Sequence, residues 1–124
     1  MDKQAFFNYC SERYSTNPDY PWDGEETAVL RHKDNKKWFA LVMNIERSKL
    51  GLDNKQKTDV INLKIPAELL GSFTREDAVY PAYHMNKAHW ISIILSDAED
   101  DTVKFLLNAS YEITANNKQK RKAD

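Results

Sequence analysis

Eleven consecutive residues, Tyr80-Pro81-Ala82-Tyr83-His84-Met85-Asn86-Lys87-Ala88-His89-Trp90, gather three aromatics, two of the chain's three histidines, an asparagine and a lysine. Asn86, Lys87 and His89 carry groups that donate to phosphate, and Tyr83 and Trp90 flank them with flat apolar faces. The same residues have a structural use: His84 and Asn86 suit a tight turn, and Trp90 opens an apolar run that reads as core. Lys87 is equally open to either role. A metal is not expected. On a helix of roughly 100° per residue, His84 and His89 would point about 140° apart, and no carboxylate stands at ligand spacing beside them. Catalysis is not expected either. Cys10, His84 and Asp77 are residue types of a nucleophilic triad, but nothing in their spacing joins them, and there is no Gly-rich phosphate loop or Glu-x-x-His. The chemistry on offer is binding, without a cofactor.

The elements that must position this stretch follow from periodicity. Residues 2–14 read as an amphipathic helix capped by Asp2, with Phe6, Tyr9, Cys10 and Arg13 on one stripe and Pro18 beyond its end. Cys10 falls on the apolar side as a small buried hydrophobe. Trp22, after Tyr20-Pro21, is expected to plug an edge of the core. From Thr27 the period becomes two: Ala28–Lys33 is a strand, Asp34-Asn35 a turn, and Lys37–Asn44 its hairpin partner. Phe39, Leu41 and Met43 fall on one face of that partner and Trp38, Ala40 and Val42 on the other, which suggests a central strand. Residues 46–58 are polar and read as a long connection. Val60–Ile65 is a strand with Ile61, Leu63 and Ile65 inward and Asn62 and Lys64 outward. Pro66–Leu70 reads as a short helix closed by Gly71, with another turn over Ser72–Ala78. Trp90–Leu95 is a buried strand. Ser96 and Glu99 form the pattern of a capping box before a helix from about Asp97 to Thr114, which buries Val103, Leu106, Leu107, Ser110 and Tyr111. Acids at Asp97–Asp101 then lie in the first turns, where the helix dipole favours them.

A chain of 124 residues with 41% hydrophobic and 30% charged side chains fits one folded domain. One cysteine excludes an internal disulfide and a multi-cysteine zinc site. No apolar run approaches the roughly 18 residues of a membrane span, and Met1-Asp2-Lys3-Gln4 does not resemble a signal peptide. No membrane and a cytoplasmic setting are expected. The net charge of −1 gives no global pull toward nucleic acid. Its distribution is uneven: five acids against Lys104 over residues 96–117, then Lys118, Lys120, Arg121 and Lys122 against Asp124. Residues 116–124 read as a basic, disordered tail, solvated first and phosphate-attracting second.

The string Tyr83-His84-Met85-Asn86-Lys87-Ala88-His89-Trp90 resembles the signature of the MmcQ/YjbR family of small bacterial proteins. The agreement continues in order through Tyr20-Pro21-Trp22, Lys37-Trp38-Phe39-Ala40-Leu41, Asn62-Leu63-Lys64, Val79-Tyr80-Pro81-Ala82 and Asn108-Ala109-Ser110-Tyr111, across roughly residues 1–115. The resemblance implies an α+β fold, an antiparallel β-sheet backed by N- and C-terminal helices. This is a CyaY-like architecture of the double-wing type described as DNA-binding. The chain departs from many relatives in ending its final helix early and in its slightly acidic balance.

Together these readings give a monomeric, non-enzymatic protein that contacts double-stranded DNA weakly, salt-sensitively and mainly through phosphates. The contacting set is Lys33, Lys36, Lys37, Lys64, His84, Asn86, Lys87, His89, Lys118, Lys120, Arg121 and Lys122. Four tail cations each neutralising a phosphate would give a logarithmic salt slope of roughly −3.6, from about −0.9 per contact. The alternatives are a protein-interaction module using the aromatic and histidine patch around residues 80–90, and a small-molecule or metal binder of frataxin-like shape. If DNA is the ligand, Lys33, Lys36, Lys37, Lys64, Lys87 and the tail belong on one face.

Overall fold

The computed structural model describes residues 1–115, and the four tail cations lie outside them. Five strands form one antiparallel sheet: β1 (Ala28–Arg31), β2 (Trp38–Glu46), β3 (Lys57–Lys64), β4 (Val79–Pro81) and β5 (Trp90–Ile94), in the order β1-β2-β3-β5-β4. Two helices, α1 (Lys3–Tyr14) and α2 (Asp100–Thr114), pack on the same face of it. This is the α+β architecture the sequence implied.

Alternation along each strand sets the layers. Ala28, Leu30, Ala40, Val42, Ile61, Leu63, Ile91 and Ile93 meet Phe6, Phe7, Cys10 and Tyr14 of α1 and Val103, Leu106 and Leu107 of α2. Asp2 caps α1 by accepting from Ala5 N–H at 2.8 Å. Arg13, placed on the apolar stripe by spacing, is exposed instead; Phe7 and Tyr14 take the buried positions. The other face of the sheet is also covered. Val60, Tyr80 and Ile94 pack there with Leu50 and Ala78, partly roofed by Leu52 and Tyr83.

Covering of that second face explains several departures from the sequence reading. Asn62, read as outward to solvent, does point away from the helices but is fully buried under the 82–89 loop. The polar stretch 46–58 is largely strand and turn. β2 runs on to Glu46 and pairs through Glu46↔Lys57, leaving a connection whose 3-10 turn, Arg47–Leu50, buries Leu50 and closes on Gly51 at φ 84°. Few apolar residues mark this region because one end of the hairpin meets solvent. A register shift between Leu30 and Arg31 makes Phe39 the extra residue of β2. Phe39 therefore joins Ala40 in the helix-side core rather than sharing a face with Leu41 and Met43.

Three smaller expectations change as well. Pro66–Leu70 holds only a 3-10 turn, Ala67–Leu69, and a second over Arg75–Asp77 carries a capping box between Thr74 and Asp77. No such box starts α2. Asp97 is claimed by the Arg47 guanidinium at 2.7 and 3.2 Å, so residues 95–98 turn first and the helix begins at Asp100 behind Glu99. Trp22 does not plug the core: it is 37% exposed and meets Trp38 edge-on at 5.6 Å. No helix among the described residues is long and apolar enough to cross a membrane.

Candidate functional site

The 80–90 stretch is the end of β4, the 82–89 loop and the start of β5, and the loop's inner side is built from hydrogen bonds. Asn62 and Ser92 face each other across the β3–β5 ladder, both without solvent exposure. The Asn62 amide donates to the Tyr83 carbonyl at 3.0 Å, and Tyr83 N–H donates to the Ser92 hydroxyl at 3.0 Å, which in turn donates to the Asn62 side-chain carbonyl. Both backbone groups of Tyr83 are thereby satisfied by fully buried side chains. Asn86 works from the other end. Its side-chain oxygen accepts from Ala88 N–H at 2.9 Å, and its backbone carbonyl accepts from His89 and Trp90 N–H at 3.1 and 2.9 Å. His89 returns a carbonyl to Ile65 N–H at 2.9 Å. The segment is not helical, so the angular argument against a histidine pair does not apply to it. Among the described residues, no three His, Cys, Asp or Glu side chains converge as a metal site would require.

The lysines converge elsewhere. In the β2–β3 ladder the last direct pair is Ala40↔Leu63, and Ser110 of α2 occupies the next step. Lys64 N–H donates to the Ser110 hydroxyl at 3.0 Å, and that hydroxyl donates to the Phe39 carbonyl. One hydroxyl thus stands between two backbones that would otherwise pair, and the strands part there. The β1–β2 tip is held against the same helix end. Asn35 donates its side-chain amide to the Thr114 carbonyl at 3.0 Å, and His32 Nε2 lies 2.9 Å from Thr114 Oγ1. Lys36 takes a left-handed φ of 63° in this tip. At the opening between tip, strand ends and helix end lies a groove of about 340 Å³ lined by Lys36, Lys37, Trp38, Lys64, Trp90 and Thr114.

Among the described residues, no carboxylate lines this groove. The ion pairs among the described residues are Arg31–Asp19, Arg47–Asp97 and the Met1 amino group with Asp100; none engages Lys36, Lys37 or Lys64. Lys87 lies across Trp90, in a neighbouring hollow of about 310 Å³ shared with Arg75, Tyr80 and Ile91. Trp90 is thus the ridge between two cationic depressions. The remaining sequence candidates separate from it. Lys33 lines a cleft on the far side of the tip with Asp34, His32 and Tyr111. His84, at φ 58° with its ring 3.9 Å from Tyr83, borders a depression containing Glu25, Glu26 and Lys57. Asn86 is committed to its turn, and His89 is exposed beside it. Lys118, Lys120, Arg121 and Lys122 lie outside the described residues.

Residues 12–113 match the YjbR family. The chain belongs to that family. Within it, the chain is 39% identical to the uncharacterized protein YyaQ of Bacillus subtilis over 116 residues, covering 92% of this chain and 98% of that one. A crystal structure of a Pseudomonas syringae protein superposes with a TM-score of 0.88 at 41% identity, spanning 93% of this chain and all of the other. A Deinococcus radiodurans protein with a DUF419 domain is 22% identical and shares the fold at a TM-score of 0.66, over 89% of this chain and 75% of that one.

Against this YjbR framework, the residues that sequence reasoning missed are Ser110, Thr114 and Arg75. Ser110 carried a signal: a serine on an otherwise apolar helix stripe must find partners, and it found the strand ends. Cys10 behaves as read from the sequence. Burial pushes its thiol up to about 12, far from a nucleophile's range.

Proposed function

We propose that this YjbR-family protein is a non-enzymatic, monomeric nucleic-acid-binding protein of the cytoplasm. In this reading it holds duplex DNA mainly through phosphates, in the double-wing docking mode that the family resemblance implies. Lys36, Lys37 and Lys64 make the central contacts, and Lys87 and Arg75 continue them across Trp90. The observation that carries this reading is the acid-free lysine groove bounded by two indoles. Ammonium groups without carboxylate partners have their charge available for phosphate, and each one that neutralises a phosphate releases counterions. The net charge of −1 supplies little long-range attraction, so binding is weak and local. The lone buried thiol, Cys10, suits a reducing compartment.

The test is fluorescence anisotropy of a labelled duplex over a range of salt concentrations. Contacts from Lys36, Lys37, Lys64, Lys87 and Arg75 give a logarithmic slope of roughly −4.5, at about −0.9 per phosphate. No binding at low salt contradicts the proposal. A second reading, docking of a protein partner, is favoured by the exposure of Tyr20 (53%) and Trp22 (37%) beside Trp38. It predicts binding indifferent to salt and to the groove lysines.

A further inference from the structure

We propose that the groove between Trp38 and Trp90 receives an unpaired nucleobase, stacked on indole, while Lys36, Lys37 and Lys64 hold its flanking phosphates. This rests on the nucleic-acid reading above and adds to its phosphate contacts a preference for single-stranded DNA or for duplex with an unpaired end.

A surface that only follows a duplex backbone needs cations on a convex or ribbon-like face. It has no use for aromatic walls, because the sugar-phosphate edge it meets is polar and the bases are stacked out of reach. This groove has such walls. Trp38 and Trp90 line it together, both half-buried, and the lysines stand around the same opening. Aromatic platforms with cations tracking the backbone are the pattern of single-strand binding, since every unpaired base offers a π-face. Lysine rather than arginine suits a backbone followed by point charges without bidentate readout.

The platforms are fixed before any ligand arrives. The Trp38 and Trp22 rings pack at an interplanar angle of 84° with centroids 5.6 Å apart, and Trp90 enters β5 with its backbone N–H held by the Asn86 carbonyl at 2.9 Å. Ser110 holds the strand ends apart with its hydroxyl, so the ladder does not close between Phe39 and Lys64 beside the groove. The charge also selects the occupant. Three cations and no carboxylate among the described residues call for an anion.

The chain's three tryptophans, Trp22, Trp38 and Trp90, form or adjoin the groove, so intrinsic fluorescence reports on it without a label. The experiment compares an oligodeoxythymidylate of about 12 nucleotides, the blunt duplex of equal length and the same duplex with a single-stranded overhang, by anisotropy at low salt and by tryptophan quenching. The expected result is binding to the single strand and the overhang about tenfold tighter than to blunt duplex, with tryptophan emission quenched. Trp38→Leu and Trp90→Leu each lose about tenfold on the single strand and little on the duplex. Equal affinity for single strand and blunt duplex, without quenching, overturns this inference and leaves phosphate binding standing. No binding to any of the three overturns both. If either leucine variant fails to fold, quenching of the wild-type protein and the other variant decide.

Discussion

Ser110→Ala removes the hydroxyl that bridges the parted ends of β2 and β3. Two backbone groups lose their partner at once, the Lys64 N–H at 3.0 Å and the Phe39 carbonyl. Ser110 and Phe39 are fully buried, so water does not replace the bond at the carbonyl, whereas half-buried Lys64 regains some solvation. The alanine methyl still stands between the strands and keeps them from pairing directly. A buried polar group left unsatisfied costs roughly 1–3 kcal/mol, so the two together, one partly rehydrated, cost about 2–3 kcal/mol. That is a large share of the roughly 5–15 kcal/mol of a domain's stability. At about 3–5 °C per kcal/mol for a chain of this size, the midpoint of thermal unfolding falls by roughly 6–15 °C. Urea titration followed by circular dichroism gives the free energy directly. A loss under about 0.5 kcal/mol would refute the reasoning, because the hydroxyl would then not be the partner of both groups.

Three further outcomes follow from the same geometry. Asn62→Ala leaves the Tyr83 carbonyl without its buried donor; it costs about 2 kcal/mol by urea titration and speeds amide exchange in residues 82–89 while α1 stays protected. Cys10 in the folded protein reacts with a thiol reagent at pH 8 far more slowly than in denaturant, since burial holds its pKa near 12; equal rates in both states contradict this. The Arg47 hydrogen bond holds the Asp97 carboxyl below its ordinary 3.8, so the pair's contribution is present above that pH and lost as pH falls through the folded value. Because both side chains are partly exposed, that contribution stays under about 1 kcal/mol. The stability gap between wild type and Arg47→Gln should close below about pH 3.8 and remain constant from pH 5 to 8.

Much of the fold was legible because period-two alternation and helical spacing act locally. The elements carrying Phe6, Ile61, Ile93 and Leu106 could be placed from spacing alone, and each lies in the helix-side core. What could not be read is which polar residues the second layer would cover. Asn62 reads as a solvent position until the loop carrying Tyr83 folds over it and Ser92. The bulge that turns Phe39 inward depends on a partner strand that no single segment reveals. The 80–90 stretch was legible as a distinctive signature and illegible as a function. Its asparagine and backbone build a turn, while the lysines that converge come from β3 and the hairpin tip. Trp90, which lines both hollows, links the two regions.

The groove as a nucleic-acid contact is tested most directly by moving charge at fixed net charge. Lys36→Gln/Lys37→Gln/Lys64→Gln alters the groove, with glutamine chosen because Lys36 sits at a left-handed φ that β-branched residues resist. Lys49→Gln/Lys55→Gln/Lys57→Gln makes the same change at the opposite end of the β2–β3 hairpin. Anisotropy with one labelled DNA across a salt series then compares the two. The groove variant should lose most binding and flatten the salt slope by about 2.7, from about 0.9 for each of its lysines. The control variant should bind like wild type. Equal losses in the two variants, or none in either, would contradict the groove as the site.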